Sequence, residues 1–245
     1  MNFKALTTSL LALLLTACAT TAPPPDQRDP QDPWEPYNRN MYKFNRTLDK
    51  AIFRPVATGY EFVVPDLVET GITNFFENLQ SLPVMINLTL QGRPGDTGHM
   101  FSRFIVNTLF GVAGFIDVAT HQGISDYDED LGQTLAVWGW EDSRYFMLPF
   151  LGPSTLRDGL ATPVDSYMDV LWREAIDGRE YGIAVDLIQT RANLLPREGQ
   201  LEDAFDEYLF VRDAWLQNRE FKITGESATP DYESFLDDED GEEQP

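Results

Sequence analysis

The chain has a single cysteine, Cys18, and it follows Leu15-Thr16-Ala17. That order resembles the lipobox of bacterial lipoproteins, in which a small residue precedes a thiol that is alkylated with lipid. A lone thiol cannot close an internal disulfide, so an unpaired cysteine in an exported chain needs another use, and lipid attachment supplies one. Other candidate chemistry fails on local grounds. With Cys18 lipidated, His99 and His121 have no cysteine to join them in a zinc cluster. Asp126, Asp128 and Asp130 have the spacing of an EF-hand loop. Leu131, however, stands where that loop needs glycine and Val137 where it needs the closing glutamate. Gly152-Pro153-Ser154 is not a nucleophile elbow, because Leu156 occupies the second glycine position. No glycine-rich phosphate cradle is present. The expectation is a protein without catalytic residues, metal or cofactor; a lipid hydrolase assembled across space is the enzymatic alternative.

The segments that carry Cys18 agree with export. Lys4 precedes an apolar run from Ala5 to Ala17, which reads as a signal peptide over residues 1–17. The run is shorter than the ~20 residues a spanning helix needs. Residues 18–31 read as a lipidated tether, stiffened by Pro23-Pro24-Pro25. Residues 32–224 suit one globular domain with a core. From Gly225 the apolar period stops, and residues 225–245 read as a disordered acidic tail containing Asp237-Asp238-Glu239-Asp240. The net charge of −22, with 18 basic residues against 40 acidic ones, excludes nucleic acid as a partner. It also argues against electrostatic docking on anionic headgroups, so membrane contact is expected to be apolar and anchor-driven.

Helical periodicity dominates the domain. Tyr37, Met41, Phe44, Leu48 and Ile52 predict a helix from Trp34 to Phe53. Pro65-Asp66 opens a second, Pro83 to Gln91 is a short third ended by Gly92, and Pro94 starts a fourth. Asp165–Trp172, Ile183–Leu195 and Leu201–Phe221 complete an all-α, single-domain reading. Two stretches stand apart. Phe104 to Ile116 is almost wholly apolar, which makes it either a buried core helix or a helix dipping into one leaflet. Val137 to Arg157 lacks helical period and is rich in aromatics broken by Gly and Pro. It is either a packed static loop or a mobile lip over a lipid path, with Gly139, Trp140, Tyr145, Pro149, Gly152 and Pro153 as the gating candidates.

Asp32-Pro33-Trp34-Glu35-Pro36-Tyr37-Asn38-Arg39-Asn40-Met41-Tyr42 resembles the start of the MlaA (VacJ) lipoprotein family. So do Gly71-Ile72-Thr73-Asn74-Phe75-Phe76-Glu77-Asn78-Leu79, Arg103-Phe104-Ile105-Val106-Asn107-Thr108 and Asp130-Leu131-Gly132-Gln133-Thr134-Leu135. Leu148-Pro149-Phe150-Leu151-Gly152-Pro153-Ser154-Thr155-Leu156-Arg157-Asp158 continues the likeness. The family often has Gly-Pro-Tyr ahead of this last run, where this chain has Asp142-Ser143-Arg144-Tyr145. The resemblance implies a ring-like helical domain embedded in the inner leaflet of the outer membrane, facing the periplasm, with a central amphipathic channel. It implies association with a trimeric porin, removal of phospholipid from the outer leaflet, and delivery to a soluble periplasmic carrier like MlaC.

A headgroup crossing hydrocarbon costs several kcal/mol or more, and a polar lining lowers that barrier without covalent chemistry. Asn74, Asn78, Asn87, Asn107, Gln133 and Thr134 have the mixed character such a lining needs; helix capping and buried hydrogen bonding are their alternative use. The alternative function is a structural envelope lipoprotein that moves no lipid.

Overall fold

The computed structural model describes residues 29–173 and 179–225. The expected signal peptide, Cys18, most of the expected tether and the expected acidic tail lie outside them. The described chain is helical: α1 (Glu35–Leu48), α2 (Arg54–Val63), α3 (Asp66–Leu90), α4 (Pro94–Phe110), α5 (Val118–His121), α6 (Leu131–Val137), α7 (Leu156–Arg173), α8 (Arg179–Ala192), α9 (Glu198–Glu202) and α10 (Glu207–Thr224). No strand forms among the described residues; two isolated bridges, Tyr145 with Thr155 and Leu148 with Gly152, close a small loop.

Several boundaries differ from the sequence reading, each for a stated reason. The first helix does not stop at Phe53. A π-helical turn over Asp49–Phe53, with the Arg54 N–H bonded to the Asp49 carbonyl, joins α1 to α2. The widened turn sits just before Pro55, which has no N–H to continue the α-helical ladder. The second and third predicted helices are one, because α3 runs through Pro83. Pro83 is buried, as are Val84 and Leu88 beside it. Packing of that face therefore outweighs the ~3 kcal/mol an interior proline costs. The helix expected at Asp165 begins at Leu156 and passes Pro163. The helix expected from Leu201 is broken, since Asp206 caps a fresh start with its carboxylate on the N–H groups of Tyr208 and Leu209.

The apolar stretch Phe104–Ile116 is not one helix. The α4 helix ends at Phe110, and Val112, Ala113 and Gly114 follow with φ of 55°, 58° and 95°. This left-handed turn is held by Gly114 N–H on the Asn107 carbonyl (2.9 Å) and Ile116 N–H on the Gly111 carbonyl (2.8 Å). It folds Phe115 back onto α3 at Gly71, where a Cβ would lie 2.1 Å from the ring. Nor is the stretch core, because Leu109, Phe110 and Val112 are each about 70% exposed.

Burial is inverted relative to an aqueous globule. Among the described residues sixteen polar or charged side chains are buried against twelve hydrophobic ones, while Phe62, Val63, Leu67, Phe110 and Phe150 stand exposed. Polar groups usually face water; among the described residues they outnumber the apolar groups in the interior.

The turn after α4 generates a prediction. A Cβ on Gly111 would lie 2.1 Å from the Ile116 carbonyl oxygen and 2.5 Å from that of Asn107, and backbone cannot yield cheaply. Gly111→Ala is expected to destabilise the fold by ~3 kcal/mol. Gly59→Ala, where nothing lies within 4 Å, is the control in the same thermal denaturation series. Equal melting temperatures would refute the packing argument.

Candidate functional site

The polar interior is organised by one guanidinium. Arg219 on α10 bonds Asp130, which caps α6, at 2.5 and 2.7 Å, and Asp158 on α7 at 3.1 and 2.8 Å. Asp130 also closes a capping box with Gln133. Arg157 bonds Asp158 at 3.0 Å and donates to the carbonyls of Trp140 and Glu141. Gly132 is required at the junction, because a Cβ there would lie 2.2 Å from the Asp158 carboxylate. Burial works to raise the Asp158 carboxyl, but the hydrogen bonds and charges of Arg219 and Arg157 outweigh it and hold the group below the ordinary aspartate range. Burial likewise works against the Arg219 charge, and Asp130 and Asp158 overcome it and bind its proton more tightly.

The six residues expected to line a path fall into two groups. Asn87, Gln133 and Thr134 are each no more than 1% exposed. The Thr134 hydroxyl donates to Asn87 Oδ1 (2.8 Å), and Gln133 Nε2 donates to Glu129 (2.9 Å). Gln91 and Arg93 join the same Glu129 carboxylate. These side chains tie α3 to α6 and are closed to any passing headgroup as they stand. Asn74, Asn78 and Asn107 instead converge on a small polar crevice between α3 and α4 with Glu77, Ser81, Arg103, Asp117 and Asp126. Arg103 meets Asp117 at 2.7 Å, and Asn107 reaches the same carboxylate at 3.0 Å. The acidic trio that resembled an EF-hand is divided among three cations: Asp126 faces Arg103, Asp128 faces Lys222 and Asp130 faces Arg219.

The loop from Val137 to Arg157 is also divided. Tyr145 is fully buried and packs against Tyr208 and Trp215, so it is a core residue and no part of a lip. Its N–H donates to the Gln31 carbonyl, and the Met147 N–H donates to Asn38 Oδ1. Arg157 pins the backbone at Trp140, whose side chain remains exposed. What stays free is the tip. Pro149, Phe150 and Leu151 are exposed, with Pro153 half-buried behind them. Gly139 and Gly152 occupy the left-handed region, at φ of 109° and 88°, which glycine adopts without penalty. Phe150 shares that region at φ 67°, a conformation that costs a bulky residue ~1–3 kcal/mol. Asn45 on α1 holds it there: its Nδ2 donates to the Leu148 carbonyl and its Oδ1 accepts the Phe150 N–H, both at 2.8 Å. The Phe44 ring meets Phe150 edge-on at 5.2 Å.

Sequence reasoning missed Arg157, Asp158, Arg219, Asn38 and Asn45. No local signal marks Arg157, between Leu156 and Asp158, or Arg219, between Asn218 and Glu220, as buried. The two asparagines sit seven residues apart on α1 and both reach the loop, a pairing that helical spacing alone does not reveal.

A family model described as MlaA lipoprotein matches residues 30–222. The intermembrane phospholipid transport system lipoprotein MlaA of Escherichia coli K12 is 37% identical over 236 residues, covering 91% of this chain and 90% of that protein. Its counterpart in Haemophilus influenzae is 32% identical over 247 residues, covering 97% and 98%. A solved structure, described as the structural basis for maintenance of bacterial outer membrane lipid asymmetry, superposes with a TM-score of 0.68 at 35% identity. It covers 80% of this chain and all of its own.

Two outcomes are expected. Asp158→Asn leaves Arg219 and Arg157 short of a carboxylate in the interior and should cost ~3–5 kcal/mol of stability. Because the folded Asp158 value lies below the unfolded one, its contribution is present above the ordinary aspartate pKa. It is lost as pH falls through the depressed value, so the wild type should lose more stability than the variant on acidification; parallel pH profiles would contradict this. Asn45→Ala should release the loop tip, seen as faster amide exchange at Phe150 and Gly152, with a global loss of only ~1–2 kcal/mol. Unchanged exchange at the tip would show that Asn45 is not its latch.

Proposed function

Because the chain belongs to the MlaA lipoprotein family, we propose that it is the outer-membrane lipoprotein of an intermembrane phospholipid transport system that maintains lipid asymmetry. It withdraws phospholipid from the outer leaflet and hands it to a soluble periplasmic carrier. A trimeric porin supports it at the outer leaflet, and lipid on Cys18 anchors it. The observation that carries this reading is the inverted distribution of side chains, with hydrogen-bonded polar groups inside and apolar groups outside. Two exposed apolar sites stand out. One is the α4 tip with Leu109, Phe110, Val112 and Ile116; the other is the α2–α3 corner with Phe62, Val63 and Leu67. No helix among the described residues is long and apolar enough to cross a membrane, so such surfaces suit burial in one leaflet.

The polar interior then has a purpose. A charged headgroup entering hydrocarbon needs polar company. The Asn74, Asn78 and Asn107 crevice places amide and carboxylate groups beside the apolar turn: Asn74 donates to the Phe115 carbonyl, and Asp117 lines the crevice. The loop tip over Pro149–Gly152, latched by Asn45, is the element that gates access. Ser154, the hydroxyl nearest to a hydrolase motif, is buried and bonds the Thr155 carbonyl, which supports transport over hydrolysis.

In cells lacking the native gene, outer-leaflet phospholipid should accumulate and fall again when this chain is expressed. Cys18→Ser cannot form the thioether and should fail to restore asymmetry. Leu109→Lys with Phe110→Lys should fold, since both side chains are exposed. It should still lose function, because each lysine in hydrocarbon costs ~2.5–3.5 kcal/mol. Normal outer-leaflet lipid with the double lysine chain would remove the membrane-insertion reading. Restoration by Cys18→Ser would remove the anchor.

A further inference from the structure

The chain carries more than twice as many acidic as basic residues, yet one groove reverses that balance. Arg39, Lys43 and Arg46 on α1 and Lys50 in the π-turn after it recur at helical spacing and line a cavity of about 350 Å³ against the N-terminal end of α10. Its only acidic lining residues are Asp206 and Glu207, so four cations face two carboxylates. The acids are spoken for. Asp206 accepts from Arg39 at 2.8 Å and from its own helix cap, and Glu207 accepts from Tyr42 at 3.0 Å and Arg46 at 3.3 Å. What remains is cationic. Lys43 and Lys50 are exposed and have no acidic partner among the described residues. Arg46, only 11% exposed at its side chain, has a buried Nη2 with no hydrogen-bond partner. An unpaired buried guanidinium N–H is costly and marks a position where an acceptor belongs.

We propose that this groove is an anion site that takes the phosphodiester of a phospholipid headgroup. The inference rests on the lipid-transport reading above and adds to it the part of the chain that recognises the lipid. Two unpaired ammonium groups, Lys43 and Lys50, beside two arginines that line the same space, suit a tetrahedral oxyanion. The volume is that of a small-ligand site. Exposed apolar side chains flank the groove along the same stretch, Phe44 beside Lys43 and Ile52 beyond Lys50. Phe150 stands against Phe44, so acyl chains attached to the bound phosphate would meet apolar surface at the loop tip. The phosphodiester is common to all phospholipids, so the site holds headgroups without selecting among them.

The test uses the full lipidated chain purified in detergent, with dihexanoylphosphatidylglycerol as probe and binding read by native mass spectrometry. Lys43→Gln with Lys50→Gln is expected to weaken binding at least tenfold, and Lys43→Arg with Lys50→Arg to retain it. Both lysines are exposed, and matched melting curves establish that the fold is intact. A wild type that binds the phospholipid, with the glutamine variant binding it equally, overturns the groove and leaves the transport reading standing. A wild type that binds no phospholipid under any condition defeats the transport reading itself. If inorganic phosphate binds in a lysine-dependent way while the lipid does not, the groove is a free-phosphate site and the lipid assignment falls. If the lipid binds only after residues 226–245 are removed, the occupant in the intact chain is its own acidic tail, and the assignment falls likewise.

Discussion

The cluster around Arg219 is the interaction on which the rest of the structure depends. One guanidinium joins the cap of α6, the first turn of α7 and the middle of α10 through Asp130 and Asp158. Arg157 extends the cluster to the start of the aromatic loop. A charged group with so little exposure is tolerable only when its hydrogen-bonding capacity is filled. That requirement sets the register of three helices at once. It also accounts for Gly132, the one residue able to let the carboxylate and guanidinium approach the α6 backbone.

The same logic explains how a domain can be apolar outside. In water, hydrophobic burial drives folding. In a leaflet that driving force between helices fades, and packing together with hydrogen bonds must hold the elements together. On the proposed placement in one leaflet, the polar networks of the described interior supply those hydrogen bonds. The Thr134–Asn87–Gln133–Glu129 network joins α3 to α6, and the Asp32–Asn38–Tyr208 bonds join the chain entry to α1 and α10. The hydrophobic clusters are small by comparison: Val84, Leu88 and Met100 in one, Tyr145, Met147 and Tyr208 in the other.

Net charge and local charge are separate quantities in this chain. A surplus of acids argues against nucleic acid, yet it says nothing about a groove a few ångströms across. Fields from groups within hydrogen-bonding reach exceed those of distant, screened charges. Along α1 and the π-turn after it the cations repeat every three or four residues, and the neighbouring acids pair with the two arginines, which leaves Lys43 and Lys50 without one among the described residues.

The sequence by itself determined the helical class, the single domain, the family and the absence of familiar catalytic motifs. Periodicity, proline and cap residues are local signals, and local signals survive without tertiary context. It also marked Phe104–Ile116 and Val137–Arg157 as unlike the rest. Only the tertiary structure decided what those segments are. Three left-handed residues after Phe110 turn the first into an exposed tip. Tyr145 and Arg157 anchor the second so that only Pro149–Gly152 projects. The division of the polar candidates was not legible either: nine residues put Asn78 and Asn87 on opposite faces of α3, but spacing does not say what each face meets. Their partners, Thr108 for one and Thr134 for the other, come from elements distant in sequence. Whether an amide closes an internal bond or lines a crevice is therefore set by what packs against it.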